Sequence, residues 1–205
     1  MTEPDIEVLR KRAKILVIDD QALPAQRLFQ RDGYHFERWS QIKNLSQLTD
    51  GYYDIILLDL QGVGLNESPD LQGLGILEHI KQSNPSQTVI AYSAHTQRIS
   101  LRSLIDMADA VLDKDASYVK YKETVDTLLR ERATPGYFIA AINRELGPKA
   151  ALVPKVVPKT LRAFRKGSVG SLETYLKDNL PDAKQVDRIL TIINIGIGVL
   201  SIIGA

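Results

Sequence analysis

Three stretches of this sequence end in side chains that could share one reaction. "KILVIDD" ends in Asp19 and Asp20, "DIILLD" in Asp59 and "TVIAYS" in Ser93, and Lys114 follows "AVLD". Carboxylates brought together repel one another, so a cation must offset them. With only oxygen ligands on offer, Mg²⁺ is the natural choice, its octahedron completed by water. A hydroxyl and an ammonium beside such a cluster supply the remaining parts of a phosphoryl-transfer site. Asp59 is then the nucleophile that forms an aspartyl phosphate, Mg²⁺ neutralises the developing charge, and Ser93 and Lys114 hold the phosphoryl oxygens. One acid at a strand end is an ordinary loop residue. Five such groups, each at the end of its strand, form a constellation.

The elements that must position them are legible as a pattern. The runs 14–19, 54–59, 88–93 and 110–113 are short, rich in β-branched residues and bounded by polar or turn residues, which predicts buried strands. "YHFERW" (34–39) is a weaker strand. Helical stretches are predicted near 22–32, 42–50, 72–83, 97–107 and 117–132. Strand and helix alternate five times, which argues a doubly wound five-stranded parallel sheet with helices on both faces. In a flavodoxin-like order 2-1-3-4-5 the first and third strands are neighbours. Asp19, Asp20 and Asp59 then converge at the carboxyl edge, where such sheets bind ligands.

From 13 to about 132 the sequence resembles the receiver domain of bacterial response regulators. The resemblance rests on "ILVIDDQ", "DIILLDL", "LQGLGILEHIK", "VIAYSAH" and "ADAVLDKD", in the family's order and with its spacing. It implies that Asp19 and Asp20 are the metal-binding acid pair, that Asp59 is the phosphoacceptor, that Ser93 is the switch hydroxyl and that Lys114 is the family's lysine. It also implies that Mg²⁺ takes the backbone carbonyl two residues past the phosphoacceptor, here that of Gln61.

Three features depart from the family. Val111 stands where an aromatic switch residue is usual, so the Tyr/Phe rotation coupled to the hydroxyl has no side chain to perform it. Asp115 stands where a proline preceded by a cis bond is usual; a cis bond before a non-proline residue costs about 3 kcal/mol, so a trans bond is expected. The connection "QGVGLNESPDLQG" (61–73) is longer than usual and carries Glu67 and Asp70 over the site. It reads as a lid, a kinase-docking feature or a neutral insertion, since insertions in surface loops cost little. His79 and His95 lack a spacing partner for a metal or triad and read as surface or packing residues.

Charge divides the chain. Residues 1–132 carry 16 Lys and Arg against 20 Asp and Glu, and residues 133–205 carry 10 against 5. Opposite charge suggests two jobs: a receiver at 1–132, a linker at 133–136 marked by Pro135 and Gly136, and a small all-α region at 137–205. The absence of cysteine removes disulfides and thiolate sites, and the charged N-terminus lacks the apolar core of a signal peptide, which fits a cytoplasmic protein. The second part reads as helices at 137–146, 158–166, 171–179 and 183–205. The basic segment "KVVPKTLRAFRK" can contact phosphates, but no helix-turn-helix pattern accompanies it, so a transcription factor with an atypical DNA-binding output stands as an alternative behind a protein-interaction module and a membrane-associated effector.

The tail "ILTIINIGIGVLSIIGA" (189–205) carries no charge. Lys184, Asp187, Thr191, Asn194, Gly198, Ser201 and Ala205 recur at steps of three and four and gather polar and small residues into one stripe. In water that stripe faces solvent, and the broad apolar face packs on neighbouring helices or on a second copy. In a bilayer it is the contact face of associating helices. The expected partners are a histidine kinase or phosphotransfer protein, with homo-oligomerisation through 183–205 or membrane association as further readings. Beyond its own phosphoryl transfer and dephosphorylation, no enzymatic activity is expected.

Overall fold

The computed structural model has five strands, four of them built on short apolar runs and β2 on a more polar one: β1 (Lys14–Ile18), β2 (His35–Trp39), β3 (Ile55–Asp59), β4 (Thr88–Ser93) and β5 (Ala110–Asp113). The structure describes residues 5–23, 25–94 and 102–203. The strands pair in the order β2-β1-β3-β4-β5, every pair parallel. This is the flavodoxin-like arrangement expected from the alternation of elements. Every residue of the central strands β3 and β4 is buried. Both of their faces are covered, so they read as continuous apolar runs instead of alternating ones. The edge strand β2 has the more polar pattern, and it buries Trp39, the chain's single tryptophan. The indole Nε1 donates to Glu37 at 2.7 Å, and the ring meets Tyr53 edge-on.

Around the sheet lie α1 (Ile6–Arg12), α2 (Gln26–Arg31), α3 (Gly73–Ser83), α4 (Arg102–Ile105) and α5 (Tyr118–Arg132). Leu77 and Ile80 of α3 pack on Leu16, Ile18, Ile56 and Leu58 of the sheet, forming part of one apolar core. The helix expected at 42–50 is only a 3₁₀ turn, Ser46–Leu48. The Asn44 side chain accepts from the Ser46 and Gln47 amides and so caps the start of that turn, which does not extend beyond Leu48. Of the helix expected at 97–107, residues 102–105 form α4, and 97–101 lie outside the described residues.

Helix α1 has no counterpart in the sequence reading. Asp5 caps it by accepting from the Glu7 amide at 2.9 Å, and Arg10 fastens it to α5 by donating from Nε to Asp126 at 3.0 Å. Asp126 also accepts from the Tyr34 hydroxyl and from Lys122 Nζ. Burial alone raises the Asp126 carboxyl, but the bonds from Arg10, Tyr34 and Lys122 outweigh it and hold the group below the usual carboxylate range. Its contribution to stability is therefore present above the ordinary carboxylate pKa and is lost as pH falls through the depressed one. Asp126→Asn strands the Arg10 charge and is expected to destabilise this unit by about 3 kcal/mol at neutral pH. Denaturant unfolding checks this, and the gap from wild type should close in acid.

The chain forms two compact units, Asp5–Ser83 with Gln87–Arg130, and the residues from Glu131 onward with Asn84–Ser86. The second is helical: α6 (Pro135–Leu146), α7 (Val156–Lys166), α8 (Gly170–Asn179) and α9 (Ala183–Ile203), with a 3₁₀ segment at Gly147–Leu152. Thr134 caps α6 and Pro135 opens it, while Gly167 ends α7 in the left-handed conformation, φ 65°. The apolar side of α9 is the centre of this unit's core, with Ile189, Ile192, Ile193 and Leu200 packed among Phe138, Ile142, Leu172 and Leu176. Gly196 lets the helix approach two rings; a β-carbon there would lie 2.7 Å from Phe164 and 3.0 Å from Phe138. Lys184, Asp187, Asn194, Gly198 and Ser201 of the small and polar stripe are exposed. Among the described residues, no helix is long and apolar enough to cross a membrane. On α7, Arg162, Arg165 and Lys166 are exposed, and Val156, Thr160 and Ala163 face the core.

Candidate functional site

Asp19 follows β1 and Asp59 ends β3; because these strands are paired, with Ile18 opposite Leu58, the two carboxylates lie side by side. One carboxylate oxygen from each of Asp19, Asp20 and Asp59 lies within 4.8 Å of the others. Asp19 and Asp59 are buried, whereas Asp20 is exposed. Three converging oxygens of this kind suit a hard divalent cation such as Mg²⁺.

Lys114 comes from the turn after β5. Its backbone amide donates to the Ser93 carbonyl at 3.1 Å, which ties it to the end of β4. Its ammonium donates to Asp59 Oδ2 at 2.7 Å and to Asp19 Oδ1 at 3.2 Å. Burial lowers the Lys114 pKa, but the bonds to the two carboxylates outweigh that, and the net direction is upward. Burial pushes the Asp59 carboxyl up, against the opposing pull of Lys114 and the Gln61 amide. The Gln61 amide donates to Asp59 Oδ1 at 3.1 Å. Ser93 is buried at the end of β4, in register with Asp113. The structure thus gathers Asp19, Asp20, Asp59, Gln61 and Lys114 at one place, and it puts Ser93 on the strand beside them.

Tyr92 was not anticipated. Its hydroxyl donates to Asp19 Oδ2 at 2.8 Å, so one oxygen of that acid is committed to the protein. Burial and the neighbouring carboxylates hold the phenol protonated, far above its ordinary range. The ring meets Tyr121 of α5 edge-on, and Tyr121 donates to the Asp113 carbonyl next to Lys114. The available signal was a tyrosine directly after the apolar run Val89–Ala91, since a buried phenol needs a partner for its hydroxyl.

The long connection is folded back onto the acids. Gly62, at φ 80°, lies so close to Asp20 that a β-carbon would come within 2.9 Å of its carboxylate. A β-carbon at Gly73 would come within 2.1 Å of the Asp59 carbonyl oxygen. Gln72 takes the left-handed conformation at φ 53°, rare for a residue with a side chain, and its Oε1 accepts from the Gly62 amide at 2.9 Å. Among the described residues no peptide bond is cis, in line with the expectation for Asp115. Val111 is 40 % exposed on β5, and His79 is exposed on α3; His95 lies outside the described residues.

The sheet order and flanking helices are those of a flavodoxin-like fold. Receiver domains are among the solved structures to which the chain is similar. A CheY-like receiver domain protein from Methanospirillum hungatei is 19 % identical with a TM-score of 0.49, over 58 % of this chain and 94 % of that one. The signal receiver domain of a LuxO repressor protein from Vibrio parahaemolyticus is 22 % identical with a TM-score of 0.48, over 58 % and 90 %. The response regulator TrrA from Thermotoga maritima, in complex with Mg²⁺ and BeF, is 23 % identical with a TM-score of 0.44, over 57 % and 98 %. No protein-family model matches the chain, and no curated protein matches it.

Proposed function

We propose that this chain is a phosphorylation-dependent response regulator of a two-component system, with Asp59 as phosphoacceptor. The observation that carries the reading is the Lys114 ammonium, bonded at once to Asp59 and Asp19 inside a cluster whose three acids converge within 4.8 Å. A histidine kinase or phosphotransfer protein is the donor. An Asp59 oxygen bonds to phosphorus as the donor's bond to phosphorus breaks, and the donor leaves with that electron pair. Both Asp59 oxygens already accept hydrogen bonds, from Gln61 and Lys114. Lys114 therefore follows the charge from the carboxylate to a phosphoryl oxygen, and Ser93 takes another. Asp19, Asp20, Asp59 and the Gln61 carbonyl are the residues that would hold Mg²⁺, which when bound neutralises charge on the transferring group.

In this reading residues 1–132 are the receiver, 133–136 the linker and 137–205 a helical interaction or oligomerisation module. The module reads a two-state surface biased by phosphorylation. The test is intact mass after incubation with a small phosphoryl donor. One phosphoryl group should appear, should require Mg²⁺ and should be absent from Asp59→Asn. Incorporation that persists in Asp59→Asn, or none under any condition in folded protein, would sink the reading.

Gln72 offers a finer test. Its Oε1 holds the amide of the Gln61–Gly62 peptide, the same rigid plane that carries the Gln61 carbonyl. Gln72→Gly suits the left-handed backbone but releases that plane. We expect Mg²⁺ affinity to fall by about tenfold, worth roughly 1.4 kcal/mol, with little loss of stability. Calorimetric Mg²⁺ titration beside thermal unfolding checks both halves of this expectation.

A further inference from the structure

At the amino ends of β1 and β2, the opposite end of these strands from the acid cluster, lies a pocket of about 370 Å³. Among the described residues, Lys11, Arg12, Lys14 and His35 line it, with Glu37 as the one acid and Tyr52 as an aromatic wall. The stretch 1–132 is net acidic, so this lining reverses the local sign. Lys11 and Arg12 belong to the last turn of α1, where cations favour the helix dipole. That does not account for Lys14, which opens β1.

Tyr52 is 45 % exposed, and its ring is fixed edge-on against Tyr53 at 4.9 Å between centroids. Lys14 Nζ lies 4.0 Å from the centre of the Tyr52 ring. One ammonium thus stands where an aromatic surface and a cationic surface meet. Arg and Lys side chains recognise phosphate oxygens, the first as a fork and the second as a point charge. An aromatic ring at such a place stacks a base, which is worth about 1–3 kcal/mol. The volume lies in the range of small-molecule sites, which begins at roughly 300 Å³, and is too small for a folded partner.

We propose that this pocket binds a mononucleotide, its base against Tyr52 and its phosphate among Lys11, Arg12 and Lys14. The site is independent of the phosphoryl chemistry at Asp59 and stands or falls without it. The test is calorimetric titration of the full chain with AMP, in the absence of Mg²⁺ and at two salt concentrations. We expect binding that weakens with salt, falls at least tenfold in the double variant Lys11→Glu, Lys14→Glu, and is unchanged in Asp59→Asn. Tyr52→Ala should lose AMP affinity while inorganic phosphate binds as weakly as it does to wild type. Tyr52→Leu, read beside circular dichroism, separates a lost stacking surface from a damaged fold. No AMP binding at about 5 mM, where even a millimolar site saturates, would overturn the proposal. So would binding indifferent to the charge reversal, or binding lost in Asp59→Asn, which would place AMP at the acid cluster instead.

Discussion

Lys114→Met is expected to leave a β-sheet unit whose stability depends on Mg²⁺. The Lys114 ammonium is bonded to two acids, Asp59 at 2.7 Å and Asp19 at 3.2 Å, and both of those carboxylates are almost wholly buried. Removing one partner of such a cluster leaves uncompensated charge and costs about 3–5 kcal/mol. A divalent cation held by the same acids replaces the missing charge, and its binding to the folded state restores stability by mass action. Thermal unfolding with and without Mg²⁺ should separate widely for the variant and far less for wild type. If Asp59 is the phosphoacceptor as proposed, phosphorylation by a small donor should slow by roughly a hundredfold or more, because the variant lacks the ammonium that would meet the developing charge. A variant that unfolds like wild type without Mg²⁺ would show that the ammonium does not hold the acids.

Truncation after Arg188 is expected to unfold the helical unit. It removes Ile189, Ile192, Ile193 and Leu200, all buried in that unit's core. Each buried side chain of this size contributes about 1.5–3 kcal/mol. Four of them together rival the whole stability of a small domain, about 5–15 kcal/mol. Far-UV circular dichroism should lose most of the signal of α6–α8 along with that of α9. Gly196→Leu tests the same packing without shortening the chain, since its side chain must displace Phe164 and Phe138. Overpacking of this kind costs about 1–3 kcal/mol or more. A truncated chain that keeps α6–α8 helical would mean that the apolar face of α9 does not hold them together.

What the sequence disclosed, and what it withheld, follows from the range of the forces involved. The strand ends carrying Asp19, Asp59 and Ser93 were legible because apolar runs mark parallel strands, and such sheets collect their carboxyl ends on one edge. The polar stripe of α9 was legible as a period, but the side that would be covered depended on Phe138 and Phe164, each many residues away. Helix α1 was invisible because its fastening is remote: Arg10 and Asp126 are 116 positions apart. In the stretch 42–50 only the turn that Asn44 caps is formed, Ser46–Leu48, because a good helix start does not dictate how far the helix runs. Tyr92 was passed over as one more β-strand residue, although its hydroxyl had to find a partner. Gln72 gave no sign at all, since a left-handed backbone at a non-glycine residue has no signature in the sequence.

Trp39 gives the chain an unequal optical reporter. It is the only indole in 205 residues, and it is buried in the β-sheet unit with its ring against Tyr53. Tryptophan emission therefore follows that unit alone, and unfolding of α6–α9 is dark to it. Circular dichroism at the helix band weights the helical unit heavily. If the two units come apart at different denaturant concentrations, the two signals trace separate curves, and a single chain yields two stabilities without being cut.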